Sequence, residues 1–556
     1  MAQNINYKTV SNYIMEKNLK LEDFMEGKTD ALSIKQKYLE NIPKGEKKTK
    51  ITFITPNVIG SKTQARRVQP PLGIACLAGV LDEYGFKNMQ IIDSSAEGYN
   101  NIKDLDDGFI EFGLDDEDVI SKLAKFKPDI VGISALFSSQ FGCAERLGKE
   151  IKNKLPNTIL VYGGIHASKE YREILKKNDF IDYILSGEAD YTFTLFCNLY
   201  EKKEDLNKCP AACYYDKKND RVVKNHEPPG LDMNELPLPA WHLMDMEMYW
   251  DIGMPHNPFM KSKEFLTIMT ERGCPEKCYF CSSANFFGNS GRFRPLDPEK
   301  AYDMVKYAVE KYGVKEIQIE DDTFTLNSKR VVEFCKKIKK FDLRITLPNS
   351  IRADAPKNLE RRLEMFKYMA EAGFEKLGIS AEHGDQEFLD KVIGKRLDLN
   401  EIVNSIDLAH QAGIMVHTNF MMGFPFEKKE NREKTINFAR SLKSDSFSVS
   451  LVAPLPGTKL YEIVKKNNLF MPNFNVSRIV YDVVNIIPDD ISPKDLLSLV
   501  KKLNSELNAM ALKNNPELIK HYELIKNKNI KDRKYQFKEN KKLIVSNQSH
   551  GSVVPN

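Results

Sequence analysis

Short β-branched runs alternate with amphipathic stretches of helical length twice along this chain, and this alternation limits the possible folds more than any other feature. The first series predicts strands at 51–56 (ITFITP), 89–93 (MQIID), 129–135 (DIVGISA), 158–164 (TILVYGG) and 182–187 (DYILSG). Helical spacing falls between them, near 71–84, 117–126, 140–154, 168–178 and 190–202. Strand and helix in strict alternation imply a parallel sheet covered on both faces, and five strands imply a doubly wound, Rossmann-like (flavodoxin-like) layer. The second series runs through EFLTIMT (264–270), EIQIED (316–321), RITLPNSI (344–351), KLGISAE (376–382), IMVHTNFMMG (414–423) and SFSVSLVAP (446–454). Six βα units over about 200 residues predict a partial (β/α)6 barrel, with its site at the carboxyl ends of the strands. The fold class is therefore α/β, a layered domain followed by a barrel.

Five segments follow. Residues 1–48, polar and Lys/Glu-rich, read as a helical extension; 49–205 form the layered domain. Residues 206–255 hold a hairpin and the Pro-rich connector LDMNELPLPAW, 256–470 the barrel, and 471–556 a helical segment with a basic, disordered tail. Lys+Arg at 82 against Asp+Glu at 78 leaves a net charge of +4, which argues against binding driven by a nucleic-acid backbone. No apolar run approaches a membrane span, and MAQNINYKTV lacks the pattern of a signal peptide. Nine cysteines, an odd number without a secretion signal, point to reduced thiols in a cytoplasm.

Three of those thiols stand together after the first barrel strand. ERGCPEKCYFCSS places Cys274, Cys278 and Cys281 in C-x3-C-x2-C spacing, close enough to wrap one metal centre. Zinc normally takes four ligands, and no fourth Cys or His lies nearby. A redox pair of Cys278 and Cys281 would not need Cys274. A [4Fe–4S] cluster normally takes four thiolates, so three leave one iron open. The remaining thiols, Cys76, Cys143, Cys197, Cys209, Cys213 and Cys335, sit in apolar, strand, helix or loop contexts without evident partners.

The cysteine spacing, its position and the six βα units resemble the radical S-adenosylmethionine superfamily. The resemblance implies cluster ligation by Cys274, Cys278 and Cys281, with the open iron chelating S-adenosylmethionine, whose reductive cleavage releases a 5′-deoxyadenosyl radical. It places Phe280 beside the adenine and IEDD (Glu320, Asp321, Asp322) at the methionyl amino group. Ser350 and Arg352 in SIRAD, with Asp354 beside them, would also bind the cofactor; Ser380 and Glu382 would face its ribose or carboxylate, and Gly423 and Pro425 its adenine. Helix capping and a simple strand-to-helix turn account equally well for the acidic run and the Gly-Phe-Pro.

QPPLGIACLAGVL (69–81), GGIHAS (163–168) and SGEAD (186–190) resemble the cobalamin-binding domain that precedes many such barrels. The resemblance implies cobalamin at the sheet's carboxyl edge, lined by Asp93, Ser134, Ser138, Gly163, Gly164, His166, Gly187 and Glu188. Glycines would admit the bulky nucleotide tail and small hydroxyls its polar edge. The D-x-H-x-x-G motif is absent; the comparable loop reads IIDSSAEGYN. The lower cobalt face is then open, watered or covered from 57–69, where Arg66 and Arg67 are available. The whole is identified as a member of the cobalamin-binding (class B) radical S-adenosylmethionine methyltransferases. That membership implies methylation of an unactivated carbon in a small molecule, with a flavodoxin or ferredoxin as electron donor. The same motifs serve cyclases and ring-rearranging enzymes. A tRNA methylthiotransferase predicts a second cysteine cluster before the barrel, and a non-catalytic protein predicts zinc or nothing at the three thiols.

Overall fold

Val, Ile and Phe in consecutive positions suit strands buried on both faces, and Ile51, Phe53 and Ile54 are all buried. The computed structural model describes residues 39–40, 42–105, 108–227, 230–257, 260–286, 293–516 and 518. Most of the helical extension expected over 1–48, and the tail beyond 518, lie outside them.

Ten strands come first: β1 (Ile51–Thr55), β2 (Val58–Ser61), β3 (Met89–Asp93), β4 (Ile102–Asp104), β5 (Phe109–Phe112), β6 (Ile130–Ser134), β7 (Ile159–Gly163), β8 (Tyr183–Leu185), β9 (Ala212–Asp216) and β10 (Arg221–Lys224). Seven form one sheet in the order β10-β9-β8-β7-β6-β1-β3. The five from β3 to β8 are parallel, and β9 and β10 add an antiparallel edge. Numbered among themselves, the parallel strands run 2-1-3-4-5, the flavodoxin-like order, with the switch point between β1 and β6. The hairpin expected in the connector thus extends the sheet. Residues 57–69, read as a loop, begin with β2, which pairs with β5 in a small antiparallel sheet completed by β4. Strands of three or four residues are too short for alternation to be visible in sequence.

The second series gives β11 (Phe265–Ile268), β12 (Glu271–Arg272), β13 (Arg294–Pro295), β14 (Glu316–Ile319), β15 (Arg344–Thr346), β16 (Lys376–Glu382), β17 (Met415–Met422) and β18 (Ser446–Leu451). β11-β14-β15 and β16-β17-β18 are parallel triplets, joined by the bridges Ile345↔Phe374 and Ile351↔Ile379. Six strands in chain order make an open barrel. Its last strand would expose unpaired backbone, a hazard that the helix Pro493–Asn514 removes. Asn508 accepts from Phe447 N (2.9 Å) and donates to Phe447 O (2.9 Å); Asn504 does the same at Val449 (2.8 and 2.8 Å). Four residues apart on one helical face, the two amides take the place of a seventh strand.

One core is continuous through both domains. Phe53, Val161 and Leu185 on one face of the first sheet join Trp241 and Tyr249 of the connector and Phe265 and Ile317 of the barrel. Ile54, Val131, Ile133 and Leu160 fill a separate core on the sheet's other face.

Candidate active site between the two domains

The cysteine loop leaves the barrel after β11. Its base is a buried polar knot. Asp321 accepts from Thr270 N (2.6 Å), the Thr270 hydroxyl and Glu271 N (3.1 Å), and Arg330 donates to Thr270 O (2.7 Å) and Leu296 O (3.0 Å). Further on, the loop is pinned by main chain: Tyr279 N donates to Ile393 O (2.8 Å), and Tyr279 O accepts from Leu460 N (2.8 Å). The Tyr279 ring lies against Gly394, where an added Cβ would come within 2.6 Å of it, and Lys459 Nζ stands 3.6 Å from the ring centroid. Cys274, Cys278 and Cys281 form no disulfide and are half-buried.

Burial pushes the Cys278 thiol up to about 12, against the opposing pull of Lys395. Cys274 is raised chiefly by burial, and it feels Cys281, Cys278 and Asp322 through space. Three secluded thiols within electrostatic range of one another, on a loop held from both sides, fit a cluster that ionises them on binding. Among the described residues no three His, Cys, Asp or Glu side chains are arranged to hold a single metal ion.

Most residues expected around S-adenosylmethionine gather near this loop. Phe280 meets Phe424 edge-on at 6.4 Å. Asp322 accepts from the Ser283 hydroxyl (3.1 Å) just past Cys281 and from Gly273 N, and burial raises its carboxyl above the usual range. Arg352 pairs with Glu276 of the loop (2.9 Å) and with Asp354 (2.5 Å). Glu382, at a positive φ of 64° beside a register shift, pairs with Lys395 (2.9 Å), which also donates to Ser380 O (2.5 Å). Ser350 accepts from Asn419 Nδ2 (2.8 Å). Gly423 N donates to Glu427 Oε2 (2.6 Å), and buried Pro425 follows in the same turn. Glu427 Oε1 lies 3.2 Å from His383 Nε2, whose Nδ1 accepts from Asp385 N, so the histidine tautomer is fixed. Glu320 departs from this group. Its carboxylate meets His256 Nδ1 (2.9 Å) and Gln69 Nε2 (3.2 Å) at the domain boundary. Lys395, Asn419 and His256 escaped the sequence reading, because single polar residues carry no motif, and Gln69 entered it only as the head of QPPLGIACLAGVL.

The first sheet presents its carboxyl edge at the switch point. Ser134 and Gly163 end β6 and β7. An added Cβ at Gly163 would meet nothing within 4 Å, whereas at Gly164 (φ 97°) it would come within 2.7 Å of the Ala135 backbone. Leu136 and Phe137 stand 41% and 60% exposed beside them, large apolar side chains at the edge where such sheets hold ligands. The Ser138 hydroxyl lies 3.0 Å from His166 Nδ1, and burial lowers His166 to about 4. Gly187 N donates to Ser168 (3.0 Å). Open space and bare apolar surface at this edge fit a corrin. Two expected residues are engaged by protein. Asp93, pushed up to about 6 by burial, accepts from Ser95 (2.7 Å) and Tyr249 (2.9 Å). Glu188 pairs with Arg272 (3.1 Å) and Arg294 (2.7 Å). Both arginines are committed too: Arg66 stacks 4.2 Å from the Tyr99 ring centroid, and Arg67 donates to His256 O.

Residues 268–439 match the radical SAM superfamily and residues 62–196 the B12 binding domain. An uncharacterized methyltransferase, PH0819 of Pyrococcus horikoshii, is 32% identical over 404 residues, 72% of this chain and 80% of its own. The chain belongs to the cobalamin-dependent radical SAM enzymes. Its radical SAM domain implies a [4Fe–4S] cluster and S-adenosylmethionine, and its B12 binding domain implies cobalamin. Cytidylyl-2-hydroxyethylphosphonate methyltransferase of Streptomyces wedmorensis is 26% identical over 500 residues, 84% of this chain and 91% of that one. Anaerobic magnesium-protoporphyrin IX monomethyl ester cyclase of Rubrivivax gelatinosus is 26% identical over 416 residues, 74% and 69% of the two chains. Among solved structures, the cobalamin-dependent S-adenosylmethionine radical enzyme OxsB superposes with a TM-score of 0.62 at 18% identity, covering 89% of this chain and 70% of that one. No helix among the described residues is long and apolar enough to cross a membrane.

Proposed function

We propose that this radical SAM enzyme methylates an unactivated carbon of a small molecule held between its two domains. One observation carries the reading: the carboxyl edges of sheet and barrel are fastened to each other. Arg272 of β12 reaches Asp190 with two hydrogen bonds (2.7 and 3.0 Å) and Glu188 with a third, in a buried setting. Asp482, from the segment after the barrel, accepts from Thr63 (2.5 Å) and Gln64 (3.0 Å) of the first domain. A reaction that uses two cofactors on one substrate requires them on opposite walls of one cleft, and fixed walls supply orientation.

Cys274, Cys278 and Cys281 would hold the cluster. Phe280, Asp322, Arg352, Ser350, Ser380, Glu382, Gly423 and Pro425 would surround S-adenosylmethionine, and Ser134, Ser138, Gly163, Gly164, His166 and Gly187 the corrin. Asp93 and Glu188 would support that edge through Tyr249 and the arginine clamp. When bound, the cluster and S-adenosylmethionine supply a hydrogen-abstracting radical and the corrin a methyl group. The chain's own work is to seclude and orient. The half-buried thiols limit the access of water, Lys395 places positive charge beside Cys278 and Glu382, and the Asp190–Arg272 clamp fixes the distance across the cleft. The electron would come from a flavodoxin or ferredoxin, in the cytoplasm.

Similarity to the cyclases keeps a second outcome in view. Anaerobic protein reconstituted with iron, sulfide and cobalamin, then given S-adenosylmethionine, a reductant and a small-molecule cell extract, is expected to release S-adenosylhomocysteine together with 5′-deoxyadenosine. Release of 5′-deoxyadenosine alone would sink methyl transfer and favour cyclisation.

A further inference from the structure

Around His256 the two domains close a ring of hydrogen bonds. His256 N donates to Gln69 Oε1 (2.9 Å), Gln69 Nε2 donates to Glu320 Oε1 (3.2 Å), and Glu320 Oε2 lies 2.9 Å from His256 Nδ1. The ring determines where the protons are. Because Gln69 takes the backbone N–H on its oxygen, its nitrogen must face Glu320. A carboxylate accepts only, so Nδ1 of His256 carries a proton, and in the neutral ring Nε2 presents a lone pair. The Arg67 guanidinium bonds the His256 carbonyl from the first domain and holds the residue from behind.

This imidazole is not a closed structural tie. Its side chain is 39% exposed, while Glu320 is 11% exposed and Arg272, which does tie the domains, 9%. Its location is also specific. Glu320 N bonds Ile268 O, the last residue of β11, and two residues on, Asp322 touches Ser283 beside the cysteine loop. The acceptor therefore stands at the barrel's carboxyl edge, facing the first domain.

We infer that His256 Nε2 accepts a hydrogen bond from an O–H or N–H group of the substrate, and that Glu320 and Gln69 are positioning residues that fix its tautomer. The inference rests on the cleft being the substrate site, and it names a substrate class: molecules with a hydroxyl or amine proton near the carbon to be methylated. In this assignment Glu320 serves His256, and the methionyl amino group is left to Asp322. A site built around an acceptor discriminates against analogues that lack the donor, because once substrate fills the cleft and displaces water the acceptor would be left unpaired.

Two measurements test it. In full-length protein with 15N-labelled histidine, two-bond 1H–15N correlation, assigned with H256Q, is expected to show His256 as the Nδ1–H tautomer, and E320Q is expected to populate the Nε2–H form. A proton on Nε2 in the wild type, whether as the Nε2–H tautomer or as an imidazolium, overturns the inference. In the second, holoenzyme receives S-adenosyl-[methyl-D3]methionine with a desalted cell extract, either native or exhaustively methylated, which turns hydroxyls into ethers and amines into quaternary ammonium groups without donors. Deuterated product is expected from the native extract and at least tenfold less from the methylated one. H256F should lose product at least tenfold while still releasing 5′-deoxyadenosine, and H256Q, which keeps an acceptor, should retain part of it. Equal yields from H256F and wild type, or from both extracts, overturn it. A wild type that forms no S-adenosylhomocysteine refutes methyl transfer instead, and the tautomer then decides the role of the ring.

Discussion

His166 illustrates how burial selects one protonation state. The ring is enclosed beside Phe141, its Nδ1 meets Ser138, and burial lowers it from 6.5 to about 4. The folded protein therefore holds it neutral while the unfolded chain takes up a proton as pH falls below 6.5. Its stabilisation is present above 6.5 and is lost as pH falls from 6.5 to 4, by up to ~3 kcal/mol for a shift of this size. Unfolding free energies of wild type and H166Q between pH 4 and 7 should differ by an amount that changes over this window; a constant difference would show that the ring titrates normally. The same burial works in the opposite direction on the cysteines, since it keeps a thiol protonated until a cation centre replaces the proton. Residues of this kind were legible in the sequence when they came in a motif. Cys274, Cys278 and Cys281 did, whereas His256 and Lys395 gain meaning only from Glu320 and Glu382, to which no local spacing ties them.

At the scale of elements, the cysteine loop has no regular hydrogen bonding and borrows its shape from neighbours. Gly394 is the tightest of these contacts. Its φ of 73° suits glycine, and the Tyr279 ring occupies the space a Cβ would need. Gly413 offers a control, with φ 80° and nothing within 4 Å. Both G394A and G413A should cost about 1 kcal/mol for the backbone. Only G394A should also displace Tyr279, and its iron content after anaerobic reconstitution should fall at least twofold; equal iron in the two variants would show that the loop does not depend on this contact. Strand and helix positions were readable because runs such as KLGISAE keep the period of their element, and 376–382 became β16 unchanged. The small β2-β5-β4 sheet was not readable, nor was the use of Asn504 and Asn508 to close the barrel's edge. The pairing of β2 with β5 and the contacts of both asparagines join residues some 50 or more apart along the chain.

For the whole molecule, the arrangement of the two domains rests on a continuous apolar core and a buried ionic clamp. Asp190 and Glu188, 6% and 10% exposed, have Arg272 as their shared partner. Removing the guanidinium strands buried carboxylates, so R272A should lower stability by about 3–5 kcal/mol and expose the connector to limited proteolysis. An unchanged melting temperature and cleavage pattern would place the interface energy elsewhere. The sequence by itself determined both folds, the cysteine motif and the family, because each is written in local periodicity or close spacing. Only the tertiary structure decided that Glu320 faces His256 rather than the cysteine loop, that Asp93 and Glu188 serve protein partners, and that Arg66 and Arg67 are committed. The physical reason is that a polar side chain's role is set by what desolvates and pairs with it, and those partners come from the other domain or from distant strands.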